Sequence, residues 1–115
     1  MLHFIDFEVF KYDWLCVIAS PTHKTETVIV NKPAELYEYY KAHKNEIFIG
    51  YNIREYDSWI FKGILAGFNP YEINEHIITK GLKGYQFSRT LNQYPLITYD
   101  LLQLNTSLKQ LEAMQ

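Results

Sequence analysis

The chain opens on an apolar run, Leu2 to Phe10, that reads Leu-His-Phe-Ile-Asp-Phe-Glu-Val-Phe and carries acids at two alternate positions. Side chains alternate along a strand, so Asp6 and Glu8 share one face while Ile5, Phe7 and Val9 cover the other. Lys11-Tyr12-Asp13 is a polar break, and Trp14 to Ala19 resumes as a β-rich run, which implies a hairpin. Ser20 to Lys24, with Pro21, reads as the next turn, and Thr25 to Asn31 as a third strand. Lys32-Pro33 ends the sheet run; Leu36, Tyr39, Tyr40 and His43 then recur as one face of a helix with Pro33 in its first turn. Glu46 to Tyr51 is a short apolar run of the kind that forms a fully buried parallel strand, expected beside the first.

Beyond Asn52 the period changes again. Ile60, Phe61, Ile64, Leu65 and Phe68 have helical spacing, with Asp57 near the helix start and Gly67 and Asn69-Pro70 at its end. Tyr71 to Thr79 predicts a short helix, Lys80 to Pro95 a loop containing Gly81 and Gly84, and Leu96 to Leu104 a fifth strand. Thr106-Ser107 is placed to cap a last helix starting at Leu108. The expected architecture is α/β: three antiparallel strands followed by parallel ones in a mixed five-stranded sheet, with helices flanking it.

At 115 residues, 48% hydrophobic and 21% charged, the chain has the size and balance of one globular domain with a real core. A net charge of −2 provides no basic field, so a nucleic-acid ligand would need metal ions or a local basic cluster to offset phosphate repulsion. The single cysteine, Cys16, excludes an internal disulfide, fits a reducing compartment and has packing as its expected role. No apolar run approaches membrane-spanning length and the N-terminus lacks a signal-peptide pattern, so the expectation is an unprocessed chain in the cytoplasm of a bacterium or a phage-infected host.

Two acids side by side on an apolar strand repel each other and are costly to bury, unless a cation neutralises both. Oxygen donors of this kind suit Mg²⁺ or Mn²⁺. The alternative is an edge strand whose acids face water. His3, His23, His43 and His76 show no metal-ligand spacing and read as surface or core residues, and Asp100 reads as a strand-end polar residue.

Asp6-x-Glu8 on a first strand, followed by Gly50-Tyr51-Asn52-x-x-x-Tyr56-Asp57 at a strand-to-helix junction, resembles the first two motifs of the DEDD 3′-to-5′ exonucleases. The likeness is nearest to the proofreading domains of phage and family B DNA polymerases. It implies a ribonuclease-H-like fold and a two-metal phosphodiesterase in which Asp6 bridges both Mg²⁺ or Mn²⁺ ions, Glu8 completes the first and Asp57 supports the second. The implied substrate is the 3′ end of single-stranded DNA, or RNA, and the implied partner a fused or associated DNA polymerase. Substrate contacts would come from Asn52, Tyr56, Phe10 and Arg54. Asn52 reads equally as a turn residue, Tyr51 and Tyr56 as packing residues, and Arg54 as a solvated arginine. The family's third motif, a Tyr or His a few residues before a final Asp on a helix after the fifth strand, is missing from this sequence. That departure implies a single exonuclease-like domain, residues 1–115, with incomplete C-terminal helices and weak or no activity, or else a non-catalytic module that binds nucleic acid or protein.

Overall fold

The computed structural model describes residues 1–22 and 24–102. Its central strand is β1 (Leu2–Val9), whose β-branched and aromatic residues at alternate positions leave His3, Ile5 and Phe7 buried and Phe4, Asp6 and Glu8 exposed. The chain reverses at Phe10–Asp13, where the Phe10 N–H donates to the Asp13 carbonyl at 2.7 Å, and returns as β2 (Trp14–Ser20). A second reversal leads into β3 (Thr25–Val30), and the rows Phe7, Cys16 and Ile29 align across all three strands on the buried face. Asn31 closes this meander: its backbone takes a positive φ of 52°, its side-chain oxygen accepts from the Trp14 N–H at 2.8 Å, and its amide donates to Asp13 at 2.8 Å. An Asn is suited to this position because it tolerates the left-handed conformation and offers an acceptor and a donor at once.

Helix α1 (Pro33–His43) starts with Pro33, whose fixed φ and missing N–H suit the first turn, and buries Leu36 and Tyr40. It delivers the chain to β4 (Ile47–Gly50), parallel to β1 with Phe4 opposite Ile49. Of the expected Glu46 to Tyr51 the strand keeps Ile47–Gly50, and full burial holds for Phe48, Ile49 and Gly50, whereas Ile47 and Tyr51 are exposed. A π-helical turn, Ile53–Asp57, then runs into α2 (Ser58–Leu65), so the helix expected here begins with one wide turn. Helix α3 (Pro70–Asn74), capped by the Asn69 side chain on the Tyr71 N–H at 3.0 Å, continues as a second π-helical turn, Glu75–Thr79. Two short 3₁₀ turns, Gly84–Gln86 and Arg89–Gln93, punctuate the expected loop before β5 (Ile97–Asp100).

The fifth strand is shorter than the expected Leu96 to Leu104. Its end has a local cause: the Asp100 carboxylate accepts from the Leu102 N–H at 2.9 Å, and Leu101 and Leu102 are already helical. Residues 103–104, the expected cap at Thr106-Ser107 and the helix after it lie outside the described residues.

The sheet order is β3-β2-β1-β4-β5, with β1, β4 and β5 parallel and the first three strands antiparallel. One face packs against the helices: Ile5, Phe7, Cys16, Ile18, Ile29 and Phe48 meet Leu36 and Tyr40 of α1, Ile60, Phe61 and Ile64 of α2, and Ile73 of α3. Cys16 is fully buried in this core, as its packing role requires. The opposite face carries Phe4, Val28, Val30, Ile47, Ile97 and Tyr99, all exposed. No helix among the described residues is long and apolar enough to cross a membrane.

Candidate metal and nucleic-acid site

Strand β4 pairs with β1 only as far as Phe4 and Ile49, and the chain leaves the sheet after Gly50, which still pairs with Asp100 of β5. Gly50 makes the exit possible: a Cβ there would stand 3.0 Å from the Ile5 carbonyl oxygen and 3.2 Å from the Ile53 Cβ. Beyond the exit, a notch opens along the second half of β1. Asp57, at the end of the π-helical turn, fills it, and its Oδ1 accepts from the Phe7 N–H at 3.3 Å. Phe7 lies between Asp6 and Glu8, so the hydrogen bond brings the Asp57 carboxyl to the stretch of β1 that bears both other acids.

Asp6 and Asp57 line a common cleft of about 320 Å³ with Tyr51, Asn52, Tyr56, Asn74 and Ile78. Asp57 is only 4% exposed. Burial pushes its carboxyl up to about 7; the Phe7 N–H partly opposes that shift, and the charges of Asp6, Glu8 and Asp100 add to it. Burial likewise raises the Tyr56 phenol to about 12, helped by the charges of Asp57, Glu8 and Asp6. Asp57 thus experiences both strand acids.

The two strand acids differ from expectation in one respect. Asp6 and Glu8 are exposed, and it is Asp57 that is buried. The reason is register: Asp6 stands opposite Val17, and Glu8 opposite Leu15, on the face that the helices leave open. The strand carrying them is nonetheless central to the sheet rather than an edge.

Among the residues expected to touch substrate, Asn52 adopts φ 60°, the left-handed region, at the corner between β4 and the π-helical turn. Its backbone N–H donates to Asp100 Oδ1 at 3.0 Å and the Arg54 N–H to Asp100 Oδ2 at 3.2 Å. Asp100 is the strand-end residue expected; its buried carboxylate is engaged by backbone N–H groups and ties β5 to this corner. The Tyr56 hydroxyl donates to Asn74 Oδ1 at 2.5 Å, anchoring its half-buried ring. The Arg54 side chain is exposed, as is Phe10 just past the end of β1. Asn74 and Asp100 are the positioning residues that sequence reasoning did not single out for the site; neither carries a motif.

The histidines divide. His76 donates from Nε2 to the Lys83 carbonyl at 2.8 Å and is a local tie, and His23 lies outside the described residues. His3 and His43, which show no metal-ligand spacing in the sequence, are brought together when α1 crosses the start of β1, with ring centroids 4.5 Å apart.

Fold and site define an α/β domain whose mixed five-stranded sheet presents an acid-lined cleft beside its central strand. Compared with protein-family models, with curated proteins and with solved structures, the chain gives no match.

Proposed function

We propose that this chain carries the metal-binding core of a DEDD-type 3′-to-5′ exonuclease with ribonuclease-H-like topology, acting on the 3′ end of single-stranded DNA. The observation that carries the reading is the seat of Asp57 on the Phe7 N–H, between Asp6 and Glu8. A buried carboxyl with one hydrogen bond and like charges around it is incompletely satisfied, and a cation relieves both deficits. The donors are all carboxylate oxygens, which fits Mg²⁺ or Mn²⁺. Asp6 and Glu8 would hold the ions from the open side and Asp57 from the buried side. When bound, a pair of such ions activates water and stabilises the leaving oxygen of an in-line phosphodiester cleavage.

The remaining residues serve binding. Phe10 offers an exposed ring on which a terminal base can stack, and Arg54 a guanidinium for phosphate. Tyr56, held by Asn74, fixes one wall of the cleft, and the left-handed Asn52 shapes another. The given sequence supplies three carboxylates where the family uses four, so cleavage by residues 1–115 is expected to be slow and metal binding is the primary test. Wild type should bind Mn²⁺ in calorimetry, with affinity lost in Asp6→Ala and reduced in Asp57→Asn. Labelled single-stranded DNA should shorten from its 3′ end only with Mn²⁺ or Mg²⁺. Equal Mn²⁺ affinity in wild type and Asp6→Ala would remove the proposal.

A second reading, a non-catalytic module that binds nucleic acid or a protein partner, draws support from the exposed apolar sheet face of Phe4, Val28, Val30, Ile47, Ile97 and Tyr99. Binding of this kind survives EDTA and Asp6→Ala, whereas metal-dependent cleavage does not.

A further inference from the structure

The helix-covered face of β1 bears a polar group at its N-terminal end. His3 is 1% exposed, stacked on Phe48 at 5.2 Å and covered by the last turn of α1. Its Nδ1 is 2.6 Å from the Tyr39 hydroxyl. Its Nε2 has no hydrogen-bond partner and faces Glu46 Oε1 at 3.4 Å. The other carboxylate oxygen of Glu46 is 2.7 Å from His43 Nδ1. Glu46 is set in place by the turn after α1, where its N–H donates to the His43 carbonyl at 2.9 Å. One carboxylate therefore sits between two imidazoles, one of which presents a buried, unsatisfied nitrogen to it.

We propose that His3, His43 and Glu46 form a binding site for a divalent transition ion of the Zn²⁺ class, separate from the acid cleft. One donor atom from each residue falls within 4.8 Å of the other two. Donors bonded to one zinc ion at about 2 Å lie at most about 4 Å apart, so closing the set needs only small rotations of the partly exposed His43 and Glu46 side chains. Two imidazoles and one carboxylate select this class over Mg²⁺, which prefers oxygen donors. Tyr39 holds His3 by its other ring nitrogen, the arrangement that fixes the tautomer and orientation of a ligating imidazole. His43 and Glu46, 28% and 24% exposed, leave the fourth position open to water. The ion would join the start of β1, the end of α1 and the approach to β4. The site is distinct from the acid cleft, because His3 and Asp6 point to opposite faces and lie about 10 Å apart along the strand at its usual rise per residue.

The test uses the untagged full chain with Co²⁺ as spectroscopic probe and Zn²⁺ as competitor. Expected are ligand-field bands of four-coordinate Co²⁺ saturating at one ion per chain, their displacement by Zn²⁺, and a melting temperature that rises with Zn²⁺. His43→Ala and Glu46→Gln should each weaken Co²⁺ binding about ten-fold or more, and Tyr39→Phe, which removes only the hydroxyl, about ten-fold. Asp6→Ala should leave the bands unchanged. Absence of the bands, bands equally strong in His43→Ala and Tyr39→Phe, or bands lost in Asp6→Ala would overturn the site. The last outcome would place the ion in the acid cleft, so the two metal proposals stand or fall separately.

Discussion

Burial sets Asp57 against its own ionisation. Its carboxyl is pushed up to about 7 in the folded protein from an ordinary value of 3.8, chiefly by burial. Between those values the folded state keeps a proton that the unfolded chain releases, so folding stability falls as pH rises. The contribution is complete below pH 3.8 and lost once pH passes about 7. At about 1.4 kcal/mol per pH unit the full loss approaches about 4 kcal/mol. His3 acts in the opposite sense: its pKa is lowered, by burial first, so its contribution is present above its ordinary 6.5 and lost as pH falls through its folded value. The difference between wild type and Asp57→Asn isolates the carboxyl. Urea titrations from pH 4 to 8 should show that Asp57→Asn gains on wild type as pH rises, and that Mn²⁺ at pH 8 narrows the gap. Parallel stability curves for the two proteins would contradict this account.

Asp100 acts through backbone hydrogen bonds. Its carboxylate accepts from the N–H groups of Asn52, Arg54 and Leu102, so Asp100→Ala leaves several backbone donors without their acceptor. An unsatisfied buried donor costs about 1–3 kcal/mol, and the loss should appear as a lowered denaturant midpoint together with weakened Mn²⁺ binding, because the corner that positions Asp57 is loosened. Asn52→Gly should be nearly neutral for stability, since glycine takes a φ of 60° without strain.

Among the elements, α2 contains a conflict between propensity and packing. Gly63 sits within the helix, where alanine would be favoured by about 1 kcal/mol. A Cβ at that position would overlap the Cδ1 of Ile73, a fully buried side chain of α3. Overpacking of this kind costs about 1–3 kcal/mol, so packing should win and Gly63→Ala should lower the melting temperature by a few degrees. A rise would mean that Ile73 has room to move. The junction between β4 and α2 works by the same logic: Gly50 permits close approach to β1, Asn52 turns the corner, and the π-helical turn sets Asp57 against Phe7.

For the whole molecule, the sheet separates two faces of unequal energetic weight. Phe61 is buried at the centre of the helix-covered face, edge-on to Phe7, Tyr40 and Phe48. Phe61→Ala should cost about 3–5 kcal/mol in urea unfolding. Val28 on the other face is 53% exposed, and Val28→Ala should change stability by no more than about 0.5 kcal/mol. A larger loss at Val28 would show that the open face packs against something.

Strands, helices and their order were legible in the chain because alternation and helical periodicity are local properties. Ile5 and Phe7 had to share a face, and Leu36 and Tyr40 had to share another. The separation of Asp6 and Glu8 from the core was equally local, although their exposure was not: whether helices cover a strand's second face depends on how the chain crosses over. The early end of β5 was hidden because it turns on one hydrogen bond, donated by the Leu102 N–H to the Asp100 carboxylate. Only the tertiary structure decided that Asp57 meets the Phe7 N–H, that Asp100 holds the Asn52 corner, and that His3 meets His43 and Glu46. Those pairs lie 40 to 50 residues apart, and no local spacing encodes them. A sequence specifies which residues are able to face one another, but parallel strand pairing and helix crossing determine which ones do.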